Sequence, residues 1–197
     1  MPRVAKAPAL LLAALAAGCS HAPPARPGGA GAPGPAELFP LAVGNSWTYV
    51  DRSPALPPGS RPPERTVRIL SRTADGFYRD SDRGELRVDG DCLRDRLRRL
   101  LCAPVEAGRS WVSVTGVLST ERYEIVATGE RVRTPAGTFG GCVRVRAHVR
   151  AGPEAENVLE LTYAPGVGPV RIETFAVVGG KATTQVSAEL QSYSLQR

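Results

Sequence analysis

Between Glu37 and Arg197 apolar and polar residues alternate with a period of two, the spacing at which successive side chains leave opposite faces of a strand. The clearest run is Val143-Arg144-Val145-Arg146-Ala147-His148-Val149-Arg150. There Val143, Val145, Ala147 and Val149 are expected to face a core, and Arg144, Arg146, His148 and Arg150 to face solvent. Comparable runs cover 46–51, 64–71, 76–79, 85–89, 111–117, 122–133, 157–163, 169–178 and 183–195. In the last, Val186, Ala188 and Leu190 alternate with Gln185, Ser187 and Glu189. Turn formers divide the runs: Pro57-Pro58-Gly59, Ala74-Asp75-Gly76, Pro135-Ala136-Gly137, Gly152-Pro153 and Gly179-Gly180. No long segment of period 3.6 competes. The pattern predicts an all-β or mainly β domain, a single curved antiparallel sheet, half-barrel-like, with hairpin connections.

One segment, 91–102, reads two ways. As a helix of three turns, it places Leu93, Leu97, Leu100 and Leu101 on one side, and Arg and Leu are good helix formers. As two short strands, it continues the alternation of 85–89 just before it, and this reading is preferred.

A short repeat adds a second level of order. Pro40-Leu41-Ala42-Val43-Gly44-Asn45-Ser46-Trp47 and Pro104-Val105-Glu106-Ala107-Gly108-Arg109-Ser110-Trp111 share P-x-x-x-G-x-S-W at an offset of 64 residues. Proline stops the preceding element, glycine permits a turn with positive φ, and tryptophan opens a strand with a large ring to bury. The repeat predicts two similar halves of one sheet, with Trp47 and Trp111 as hairpin-entry anchors or as a ligand platform.

The first 36 residues follow different rules. Arg3 and Lys6 precede an Ala/Leu run, Ala7 to Ala17, which is the length of a signal-peptide core and too short to span a membrane. It ends in Leu15-Ala16-Ala17-Gly18-Cys19, which resembles the bacterial lipobox. The resemblance implies that residues 1–18 are removed and that Cys19 becomes a diacylated N-terminus. Two or three acyl chains would anchor the protein stably to a membrane. Ser20, in place of Asp, favours the outer membrane by the enteric sorting rule, with the domain facing the periplasm. Residues 19–36 read as a disordered Pro/Gly/Ala tether with too little apolar bulk to pack. The tether's Gly29, Gly31 and Gly34 spell GxGxxG without the strand and helix a dinucleotide site needs. The domain proper is expected over 37–197.

The 197 residues carry a net charge of +6; removing Arg3 and Lys6 leaves 23 basic against 19 acidic residues, or +4. The charges are interleaved, as in Arg79-Asp80-Ser81-Asp82-Arg83-Gly84-Glu85, and no basic block carries interleaved aromatics. Nucleic acid is therefore not expected as a partner. With two His and four Cys, no metal or cofactor is expected either.

Three segments occur in order: FPLAVGNSWTY (39–49), PAGTFGGCVRV (135–145) and YAPGVGPVR (163–171). Together they resemble a group of uncharacterised bacterial lipoproteins and periplasmic proteins, itself similar to the half-barrel LolA/LolB-type lipoprotein carriers. The resemblance covers about a sixth of the chain and implies a curved antiparallel sheet with a helix or loops over its concave face. The long helix that such carriers place after the first strand has no counterpart in this sequence.

Chemistry is sparse. GxSxG, HExxH and CxxC are absent, and Glu121 and Glu124 fall on opposite faces of a strand. No catalytic residue is assigned and no enzyme is expected. Among Cys92, Cys102 and Cys142 three single disulfides are possible in an oxidising compartment. Cys92–Cys102 suits a hairpin and would constrain the unfolded chain by roughly 3 kcal/mol. It leaves Cys142 as a free, half-buried thiol, about 20 Å along its strand from His148 and so not a dyad with it. The Arg144, Arg146, His148 and Arg150 face reads either as a phosphate or headgroup site or as a solvated face paired to Glu121, Glu160 or Glu173. The second is the simpler.

These readings predict a membrane-anchored, non-catalytic module of the bacterial envelope that docks or scaffolds an envelope protein. The alternative is a carrier or sensor holding a lipid or other apolar ligand in the concave face. Trp47, Trp111, Tyr123, Phe139 and Phe175 are the candidate aromatics for either a closed core or a cavity wall. A dry core would favour docking, and an open apolar cavity of several hundred Å³ would favour the ligand.

Overall fold

The computed structural model describes residues 32–57, 59–82, 84–117 and 119–196; the expected leader, Cys19 and the tether up to residue 31 lie outside them. The first element is a one-turn helix, α1 (Pro35–Leu38). Twelve strands follow: β1 (Ser46–Asp51), β2 (Glu64–Arg72), β3 (Tyr78–Asp80), β4 (Glu85–Asp89), β5 (Cys92–Arg94), β6 (Arg99–Cys102), β7 (Ser110–Gly116), β8 (Ser119–Thr134), β9 (Gly137–Gly152), β10 (Ala155–Ala164), β11 (Gly168–Val178) and β12 (Lys181–Ser194). They make one antiparallel sheet in the order β6-β5-β4-β3-β2-β1-β12-β11-β10-β9-β8-β7. Every neighbouring pair is also consecutive in sequence except β1 with β12. The sheet is thus an up-and-down meander whose first and last strands meet at its centre, and the predicted strand architecture is the one observed.

The two ends of the sheet, β6 and β7, are tied together without a backbone ladder. The Arg99 N–H donates to Ser113 Oγ at 2.9 Å, the Trp111 indole N–H to the Arg99 carbonyl at 2.7 Å, and the Arg99 guanidinium to the Val112 carbonyl at 2.8 Å. Side chains close the sheet into a near-barrel, a curvature beyond the half-barrel the sequence predicted. Segment 91–102 is the strand pair β5 and β6, joined by a disulfide between Cys92 and Cys102, which stand opposite one another.

The repeat has a structural counterpart. Gly44 and Gly108 both adopt positive φ, +95° and +86°. The Gly44 N–H donates to the Ile69 carbonyl at 2.9 Å, and the Gly108 N–H to the Ile125 carbonyl at 2.8 Å. In return the Ile69 N–H donates to Asn45 and the Ile125 N–H to Arg109, at 2.8 and 2.9 Å. Each tryptophan follows two residues on and donates its indole N–H to a distant carbonyl, Trp47 to Val167 and Trp111 to Arg99. The halves β1–β6 and β7–β12 therefore start from the same turn.

The core has two centres. One joins Leu93 and Leu101 to Tyr123, Ile125, Val143 and Val145, so the narrow strands β5 and β6 close over β8 and β9. The other gathers Trp47, Tyr49 and Ile69 with Val170 and Leu190. The end of the β8–β9 hairpin folds against this second centre, where the Ala136 N–H donates to the Leu190 carbonyl at 3.0 Å.

Several expected positions differ. Val186 is 42% exposed rather than buried, because it stands on the wall of an open cavity beside Tyr49 and Ala188, and Val149 is only half-buried. Cys142 is fully buried rather than half-buried, its Sγ 3.6 Å from the Phe139 carbonyl. The strand expected from Gly76 starts at Tyr78, because Gly76 at φ +85° belongs to the turn.

Candidate functional site

Alternation on β9 and β10 decides which residues line the concave face. Ala147 opposes Leu159 and Val145 opposes Leu161, so this row is apolar. The opposite face carries Arg146 opposing Glu160 and His148 opposing Val158. On that outer face Arg146 donates to Glu160 at 2.7 Å, and Arg144 lies 3.1 Å from Glu130 and 3.5 Å from Glu160. His148 Nδ1 is 3.0 Å from Glu156, and this contact holds the Glu156 carboxyl below the usual carboxylate range. Arg144, Arg146 and His148 on this face are paired, with Glu160 as one of the expected partners, and Arg150 is exposed. Glu121 lies instead on the concave face, where it accepts the Tyr123 hydroxyl at 2.6 Å.

The concave face is not filled. A cavity of about 520 Å³ opens over β8–β10, walled by Leu86, Leu100, Tyr123, Val149, Leu159 and Leu161. Its lip is the 95–98 turn, in which Asp95 accepts the backbone N–H of Leu97 and Arg98 at 2.8 and 2.6 Å. Arg96 from this turn lies over the Phe77 ring at 3.9 Å and is clamped by Asp75 and Glu85. The Arg96 contact is the main cause holding the Asp75 carboxyl well below its ordinary value. Arg98 pairs with Asp95 at 2.7 Å and reaches Glu121 at 3.8 Å. Burial, with the Glu121 bond, pushes the Tyr123 phenol up, so Tyr123 stays a neutral donor in this wall.

A second cavity of about 340 Å³ opens on the same face over β1, β2, β11 and β12, walled by Tyr49, Val67, Ile172, Val186 and Ala188. Tyr49 is held there by its hydroxyl, which donates to the Pro169 carbonyl at 2.9 Å. A groove of about 360 Å³ on the outer face has an apolar floor that includes Val158 and Phe175, beside the His148–Glu156 pair.

The five candidate aromatics separate. Trp47 lies in the second core centre and Tyr123 in the first, with Tyr123 also on the larger cavity's wall. Trp111 is half-buried and stacks on Tyr123 at 5.7 Å. Phe139 packs against the second centre, and Phe175 is on the outer face opposite Val158. The two tryptophans do not form a common platform, being members of different halves. The sequence reading passed over Tyr49, Leu159, Leu161 and Ile172, although the alternation of their strands places all four inward. Among the described residues no group of His, Cys, Asp and Glu could hold a metal ion, and no helix is long and apolar enough to cross a membrane.

No protein-family model matches the chain, and no curated protein matches it. Two solved structures are similar to it at low scores. One is a Bacteroides fragilis protein named for export and a YmcC-like fold, with 17% identity, a TM-score of 0.45, and coverage of 80% of this chain and 98% of that one. The other is a Parabacteroides distasonis protein named as a lipoprotein, with 13% identity, a TM-score of 0.44 and the same coverage. At these values the likeness assigns neither fold, family nor function.

Proposed function

We propose that this chain is a membrane-anchored, non-catalytic binding protein of the bacterial envelope that holds an apolar ligand in the concave face of its sheet. The observation that carries this reading is the unfilled apolar cavity of about 520 Å³ over β8–β10, within the size class of small-molecule sites. The sequence favours docking and keeps the ligand as the alternative; a closed core would have supported docking, and the open cavity supports the ligand. The anchor in this reading is Cys19, lipidated after removal of residues 1–18, with the domain on a tether at the outer membrane and facing the periplasm. The polar lip of Asp95, Arg96 and Arg98 above an apolar floor suits an amphiphile whose head stays at the rim.

The test is displacement of a fluorescent naphthylamine probe from the chain carrying Cys19→Ser, which has no acyl acceptor. Leu159→Glu places a charge on the cavity floor and is expected to weaken probe binding at least tenfold. Val112→Glu, on an exposed position of β7, is expected to leave it unchanged. Equal loss in both variants, or no saturable binding, would contradict the proposal.

A further inference from the structure

We infer that the two cavities of the concave face are the two ends of one apolar trough passing beneath the β3–β4 turn, and that its occupant is a single long acyl chain on an uncharged head group. This inference rests on the ligand-binding reading above and names its ligand class.

The floor is continuous. Leu161 lines the larger cavity and Ile172 the smaller, and the two are direct cross-strand partners on β10 and β11. Opposed residues of neighbouring strands stand side by side on one face, so no polar row separates the two floors.

The roof is a single narrow turn. Asp82 lines the smaller cavity, while Gly84 and Glu85 line the larger. Polar contacts hold the turn in place: the Ser81 N–H donates to the Arg68 carbonyl at 2.9 Å, the Arg68 N–H to Ser81 Oγ at 3.0 Å, and Arg65 pairs with Asp82 at 2.7 Å. Asp80 Oδ1 accepts the N–H groups of Asp82 and Gly84 at 2.9 and 2.7 Å. A Cβ on residue 84 would lie 2.4 Å from Asp80 Oδ2, so glycine keeps the turn tight. The turn is a strap across the trough and leaves the floor beneath it unbroken.

The charges of the lining select the head group. Among the described residues, each arginine lining either cavity is already paired with a carboxylate: Arg65 with Asp82, Arg96 with Glu85, and Arg98 with Asp95. Carboxylates still outnumber arginines in the lining, since Asp51, Glu64 and Glu121 also line the two cavities, Glu64 meeting Arg61 at 3.6 Å and Glu121 meeting Arg98 at 3.8 Å. Among the described residues, an anionic head would meet a net negative rim with no uncommitted guanidinium. A hydroxyl-bearing neutral head can both donate to and accept from such a rim. The elongated floor calls for one long chain, where a compact ligand would fill only one end.

The test is titration of the chain carrying Cys19→Ser with 1-monoacylglycerols of rising length and with the matching fatty acids. Affinity is expected to climb about fourfold per added methylene, from about eight to about sixteen carbons. Each fatty acid is expected to bind at least tenfold more weakly than the monoacylglycerol of equal length. Val186→Trp fills the smaller end at an exposed wall position. It is expected to weaken the longest chains tenfold or more while the shortest keep their affinity, which also reports that the variant is folded. A climb that stops at short chains, or long chains indifferent to Val186→Trp, would overturn the single trough and leave the ligand reading standing. Fatty acids that bind as tightly as monoacylglycerols would overturn the uncharged head group. Absence of saturable binding by any chain would overturn the ligand reading itself.

Discussion

Gly168 shows how one position can hold two distant parts of this sheet together. It adopts φ +113°, and a Cβ there would lie 3.0 Å from the Trp47 indole nitrogen and 3.3 Å from Phe39. That indole donates to the Val167 carbonyl at 2.7 Å and meets Phe39 edge-on at 5.2 Å. Gly168→Ala is therefore expected to cost roughly 3 kcal/mol, from backbone strain plus a loosened buried hydrogen bond. Gly129 has φ +76° with open space around it, and Gly129→Ala is expected to cost about 1 kcal/mol. Urea denaturation of the two variants measures the difference, and equal costs would mean that the close approach to Trp47 carries no weight.

Among the elements, the weakest join is the seam between β6 and β7, which relies on three hydrogen bonds involving side chains and has no ladder of its own. Ser113 is buried, and Ser113→Ala leaves the Arg99 N–H without its acceptor. The expected loss is about 1–3 kcal/mol, read from the urea midpoint. Reduction of Cys92–Cys102, which closes a short loop beside this seam, is expected to cost a further roughly 3 kcal/mol in the same measurement. The strands themselves were legible in the sequence, because alternation on long strands such as 143–150 is a local signal. The seam was not. It depends on Arg99, Ser113 and Trp111 meeting across a closed sheet, and nothing local to 99 or 113 says where the sheet ends meet. The cavities were legible only in part. Alternation turns Leu159 and Leu161 inward, but an inward residue can line a void or fill a core, and the pattern is the same for both. Val186 marks that limit: it alternates correctly with Gln185 and Ser187 and still stands exposed at the trough's mouth.

For the whole molecule, the buried proton donors and the surface carboxylates set opposite limits on stability. Burial pushes Cys142, Tyr49, Tyr123 and Tyr163 above their ordinary values. Their contribution is complete below the unfolded pKa values and is lost as pH rises toward the folded ones. Stability is thus expected to fall above about pH 8.5, where the unfolded thiol ionises, and more steeply above about pH 10 with the phenols. Cys142→Ala is expected to remove the first of these two slopes. Asp75, Glu85, Asp89 and Glu156 are held below the usual carboxylate range by Arg96, Arg79, Arg87 and His148 respectively. Their contribution is present above about pH 4 and is lost as pH falls through the lowered folded values. Urea midpoints across pH check both limbs, and a flat alkaline limb would contradict the burial of these groups.

On this reading the concave face takes up an apolar ligand. The measurement that bears on it most directly is native mass spectrometry of the chain carrying Cys19→Ser after equilibration with a long-chain monoacylglycerol. One ligand per chain is expected, lost from Leu159→Glu and retained by Val112→Glu. A bare protein mass at saturating ligand would contradict it.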